Sequence, residues 1–184
     1  MFKTLLSPLL VIIAVIILPS TGKALVFLPM ILSLAVSLPN HDKFKVKYKA
    51  LGIFISILQS YTVFAGLGIS LYLLDEFMPE IYIGENDFNF KGIALVTFGG
   101  YLAALLLFYF YSFLFRLTYL RISFIVITIC YAFVVLVMQI FSNNEFLQFG
   151  VEKFTSFLIS WLIFMSFAYS LCLNNIIIAR QIKH

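Results

Sequence analysis

The stretch KFKVKYKALGIFISILQSYTVFAGLGISLYLL, residues 43–74, decides the architecture, because four lysines in seven residues stand directly before an uncharged run from Ala50 to Leu74. That run has 25 residues. As a helix it extends ~37 Å, enough to cross a hydrocarbon core of ~30 Å with some tilt. Eleven Leu, Ile, Phe and Val residues lie between Ile53 and Leu73. At ~0.3 to 0.6 kcal/mol each they favour insertion by several kcal/mol. An excess of Lys and Arg beside a span keeps that flank in the cytoplasm, so Lys43, Lys45, Lys47 and Lys49 orient everything around them.

The whole chain shares this character. Its 184 residues are 63% hydrophobic and 11% charged, with a mean hydropathy of +1.09, which assigns residues 1–184 to a single integral membrane domain. The expected fold is all-α, a polytopic transmembrane helix bundle of six membrane segments. Four are long: Ala50–Leu74, Gly92–Phe115, Ile122–Phe141 and Phe154–Leu173, a four-helix core over 50–173. Before them residues 1–38 form a short N-terminal hairpin, built on Leu5–Leu18 and Leu25–Leu38. At ~21 Å each, these runs read as a pair of short spans or as a re-entrant hairpin. Residues 39–49 are the basic cytoplasmic loop and 174–184 a cytoplasmic tail.

Two motif matches in the hairpin are set aside. As a secretory signal peptide it lacks a good cleavage site, because Lys23 interrupts the small residues of Gly22-Lys23-Ala24. Leu18-Pro19-Ser20-Thr21-Gly22 matches the sortase pattern LPxTG, but cleavage there would detach every later span.

Charge tests the orientation. The segments expected inside carry Lys3, Lys43, Lys45, Lys47, Lys49, Arg116, Arg121, Arg180 and Lys183, nine of the twelve basic residues, and of the acidic residues only Asp42. The outer loops Asp75–Lys91 and Ser142–Lys153 hold the remaining acids, so successive turns agree on one orientation. The chain is expected in the bacterial inner membrane with both termini cytoplasmic. Its partners are the lipid bilayer and other membrane protein subunits or itself. The sorted charges form no nucleic-acid patch.

No catalytic, cofactor or metal site is expected. The four long spans contain no Asp, Glu, Lys, Arg or His, which removes the groups that proton-coupled transport, ion pumping and intramembrane acid-base chemistry use. His41 and His184 lie outside the spans and cannot face a haem as a pair. Cys130 and Cys172 lack CxxC spacing and read as small core residues. Glu85, Asp87 and Asn89 begin like a calcium loop, but Phe90 stands where that loop needs glycine.

What the spans do hold is neutral. Gly52, Ser56, Gln59, Ser60, Gly66 and Ser70 fall on one side of their helix at about 100° per residue, a candidate packing or partner face. Gly99 with Ala103, and Gly100 with Ala104, make two overlapping small-xxx-small pairs on the next span. Gln59 and Gln139 are candidate linings of a polar cavity. Lys43, Lys45, Lys47 and Lys49 also suit contact with anionic lipid or an acidic partner. The function expected is non-enzymatic: an accessory or scaffold subunit of a larger membrane assembly. The alternative is a small channel or carrier for an uncharged or apolar solute.

Overall fold

A computed structural model of the chain describes residues 2–17, 26–77, 82–83, 88–117, 120–141 and 151–174, with side chains except at 82–96, 138–141 and 151–156. The described residues are all-α, with six helices: α1 (Phe2–Ile17), α2 (Leu28–Ser37), α3 (Lys49–Phe77), α4 (Phe90–Leu114), α5 (Leu120–Phe141) and α6 (Val151–Asn174). A two-residue antiparallel pairing, Tyr82–Ile83 with Phe88–Asn89, precedes α4. Four helices, α3 to α6, are long and apolar enough to cross a membrane.

Proline punctuates the short helices and is absent from the long ones. Pro29 sits at the first turn of α2, where its fixed φ suits helix entry and no amide hydrogen is missed. At the other end Pro39 stops propagation, and the Asn40 side chain donates to the Val36 carbonyl at 2.8 Å. That amide satisfies one of the orphan carbonyls of the last turn. The result is a ten-residue helix only ~15 Å long, half the depth of a hydrocarbon core. Helix α1, at 16 residues, reaches ~24 Å.

Helix α6 is the hub. It packs against α1 and α5, with α2 also touching it, and α3 closes the bundle between α2 and α4. Eight of the ten residues of α2 are buried. Helix α1 shows how the sides were chosen: Thr4, Ser7 and Val11 are buried, whereas Leu5, Leu9, Ile12, Ile13 and Ile16 are exposed. Large apolar side chains outward and small or polar ones inward reverse the soluble pattern. Lipid supplies no hydrophobic drive between helices, so close packing and hydrogen bonds hold them instead.

The charged ends are sorted in space. Lys3 pairs with Asp42 at 3.0 Å, Phe44 bridges Phe115, and Asn174 donates to Asn40 at 2.9 Å. The start of α1, the loop after α2, the end of α4 and the end of α6 therefore share one end of the bundle, the basic end. Asp75 and Glu76 lie at the far end, in the last turn of α3.

Candidate functional site

Two features occupy the interior, a ladder of hydroxyls near the basic end and an apolar groove in the opposite half. The ladder begins with residue spacing. Ser33 and Ser37 lie four apart on α2, Ser56 and Ser60 four apart on α3, so each pair shares one helix face. All four are fully buried. Ser37 Oγ donates to Ser56 Oγ at 2.8 Å. Ser33 Oγ donates to the Ser56 carbonyl at 2.9 Å and lies 2.6 Å from Ser60 Oγ. Ser60 Oγ in turn lies 3.0 Å from the Tyr111 hydroxyl of α4. Three helices are thus fixed in register by neutral groups, without the cost of a buried charge.

A second polar knot lies at the basic end. Asn40 is fully buried. Its amide nitrogen lies 3.3 Å from Ser170 Oγ, and Ser170 Oγ donates to the Lys3 carbonyl at 3.2 Å. This ties α1, α2 and α6 together. Three buried polar atoms nearby or along the ladder have no protein partner among the described residues: Thr4 Oγ1, Ser7 Oγ and Gln59 Oε1.

The groove lies past the N-terminal end of α2. Val26, Leu28 and Pro29 line that end, and α3, α4 and α6 wall a space of about 520 Å³. Tyr61, Phe64, Leu71, Gly99, Gly100, Ala103, Phe157 and Trp161 are among its walls. The polar tips of its rings are turned into helix backbone. The Tyr61 hydroxyl donates to the Val26 carbonyl at 2.9 Å, and the Trp161 indole N–H to the Gly100 carbonyl at 2.9 Å. What the groove offers is apolar surface of the size that small-molecule sites have, ~300 to 1,000 Å³. Among the described residues that line it, Tyr61 is the one with a titratable side chain.

Glycines shape the walls. A Cβ on Gly99 would stand 2.6 Å from Leu71 Cδ1, and one on Gly100 would stand 3.0 Å from Phe157 Cζ and 3.1 Å from the Tyr131 hydroxyl. Gly52 would meet the Phe44 ring at 2.7 Å. On Gly66 and Gly68 a Cβ meets nothing within 4 Å among the described residues.

The sequence candidates divide accordingly. Gly52, Ser56 and Ser60 lie buried against α2 and the loop after it, while Gly66 and Ser70 are exposed. The buried sector of α3 is centred on Ser56, Ser60, Val63 and Leu67, about 20° to 80° from Gly52, and Gly66 at about 320° falls on its flank. Gln59 is half-buried and donates to the Phe110 carbonyl at 3.3 Å; it is not among the groove's lining residues. The side chains of Gln139 and Asn89 lie outside the described residues, as do Glu80, Glu85, Asp87 and His184. Tyr111, expected from sequence among the rings of the inner interface, is buried instead, and Ser33, Ser37 and Asn40 carry no expectation from sequence. The serine pair's spacing of four and the Pro39-Asn40 step were the available signals. Comparison with protein-family models, curated proteins and solved structures finds no match.

Proposed function

We propose that this chain is a non-enzymatic polytopic membrane protein acting as an accessory or scaffold subunit of a larger assembly, in the bacterial inner membrane with its basic end in the cytoplasm. The observation that supports this is the split among glycines. Gly52, Gly99 and Gly100 are demanded by neighbours within the chain, whereas Gly66 and Gly68 on α3 meet none of the described residues. Glycine in a helix interior costs about 0.5 to 1 kcal/mol relative to alanine. Open small residues on a membrane helix let a second helix approach closely. Gly68 also lines the groove, so a partner helix lying along α3 can set bulky side chains into it. The test is purification of the full chain in mild detergent. A co-purifying membrane protein that is lost in Gly66→Leu/Gly68→Leu is expected; a free, monodisperse monomer in the wild type would overturn the reading.

The groove itself favours a second reading, a small channel or carrier for an uncharged or apolar solute. Trp161 is the sole tryptophan of the chain and lines the groove. Its fluorescence therefore reports occupancy. Saturable quenching by a brominated apolar solute in proteoliposomes is the result this reading expects. Quenching that rises linearly, as from bulk lipid, would remove it.

A further inference from the structure

We propose that Lys43 and Arg116 clamp the phosphate of an anionic phospholipid headgroup. The inference does not depend on the subunit or carrier readings above. It starts from the loop after α2, which forms an antiparallel bridge with the end of α4, Phe44 opposite Phe115. The bridge is closed by Lys45 N–H donating to the Leu114 carbonyl at 2.9 Å and Arg116 N–H donating to the Lys43 carbonyl at 2.8 Å. The two phenylalanine rings stack at 4.7 Å and are buried.

Lys43 closes the turn His41–Lys43 and is half-buried, while Arg116, directly after the bridge, is exposed. The hydrogen bond from the Arg116 N–H to the Lys43 carbonyl sets the two residues side by side. Like charges so placed repel, and an anion between them removes the repulsion. Lys45 is already engaged: its Nζ donates to the Ser112 carbonyl at 2.6 Å, at the negative end of the α4 dipole. Asp42 acts electrostatically on Lys43, but its ion pair is with Lys3. Neither Lys43 nor Arg116 has an ion pair among the described residues.

Depth and net charge identify the ligand. Tyr109 and Phe113, edge to face at 4.9 Å on the last turns of α4, are exposed, as is Tyr48. Aromatic rings at helix ends mark the headgroup layer. Among the described residues of this end seven are basic, including Lys47, Lys49 and Arg121, against one acid, Asp42. That excess repels the ammonium of a zwitterionic headgroup and accepts a headgroup with net negative charge. The guanidinium grips phosphate oxygens bidentately and the lysine adds a point charge.

Native mass spectrometry of the full chain in detergent, titrated with phosphatidylglycerol or phosphatidylcholine, tests this. Phosphatidylglycerol should be retained preferentially, and K43Q/R116Q should lower its retention roughly thirtyfold, two cations at about 1 kcal/mol each. K43R/R116K should retain it, and K47Q/K49Q should cost clearly less than K43Q/R116Q if contact and not diffuse charge decides. Because the bridge uses main-chain atoms, the elution volume and helicity of K43Q/R116Q should match wild type. Should it misfold, the single variants K43Q and R116Q must each show part of the loss. Equal losses from the two double variants, or no preference between the lipids, would mean diffuse charge and overturn the clamp. Displacement of the lipid by inorganic phosphate would overturn the lipid assignment. So would unchanged lipid retention in K43Q/R116Q with loss of a co-purifying acidic protein.

Discussion

At Tyr111 one hydroxyl closes the ladder, 3.0 Å from Ser60 Oγ and 3.4 Å from Ser33 Oγ. Interhelical hydrogen bonds in membranes average about 0.6 kcal/mol, so Tyr111→Phe should destabilise the bundle by about that amount in detergent unfolding. Gln59→Leu should behave oppositely. Its Oε1 is buried without a partner, and removing an unsatisfied acceptor offsets about 1 kcal/mol or more, against loss of the one long bond to Phe110. Equal or slightly raised stability is expected, with unchanged solute flux if Gln59 lines no pathway. Asp42 supplies a pH dependence of definite sign. Its burial works to raise the pKa, but the hydrogen bond from Lys3 and the charges of Lys3 and Lys43 outweigh it, and the pKa is lowered. The pair's small, solvent-screened contribution is therefore present above the unfolded carboxylate range near pH ~4 and lost as pH falls through the lower folded value. Acid titration of Asp42→Asn, followed by helicity, should lack that step.

Helix α4 is where packing can be tested one element at a time. Gly100→Val puts carbons against Phe157 and the Tyr131 hydroxyl, at 3.0 and 3.1 Å already for the Cβ, and should cost about 1 to 3 kcal/mol by overpacking. Gly66→Leu on α3 meets nothing described and should leave the isolated chain's stability equal or raised by up to about 1 kcal/mol, since glycine is the poorer helix former. The contrast explains what the sequence made legible. Long uncharged runs bounded by charges marked α3 to α6 to within three residues, because span length is dictated by the bilayer. Gly99 and Gly100 also stood out, since small residues four apart have a known use between helices. The groove did not stand out, because its walls come from the start of α2 and from α3, α4 and α6, segments far apart in the chain that local pattern cannot bring together. Phe44 is set among lysines, a setting that suits the membrane interface. Its place against Phe115 and Gly52 depends on a pairing across more than seventy residues, which local pattern cannot express.

For the molecule as a whole, the decisive fact is that basic groups from five separate segments collect at one end. Lys3 begins α1, Lys43 to Lys47 follow α2, Lys49 begins α3, Arg116 follows α4 and Arg121 begins α5. Asp75 and Glu76 are a full helix away, with α3 of 29 residues separating them by ~40 Å. A bundle so polarised has two energetically unequal orientations, because moving Lys or Arg across the membrane is opposed by the potential and by the anionic inner leaflet. Labelling with an impermeant thiol reagent decides between them. In a background with Cys130 and Cys172 replaced by alanine, Lys47→Cys should react in intact cells only after permeabilisation, and Glu76→Cys without it. Both sites are exposed, so failure to react reports the membrane barrier and not burial. If the two cysteines react from one compartment, α3 does not cross, and the subunit surface assigned to Gly66 and Gly68 loses its place in the lipid. If they react from opposite compartments with the sense reversed, α3 still crosses. The clamp at Lys43 and Arg116 would then face the outer leaflet, and its lipid would have to be sought there.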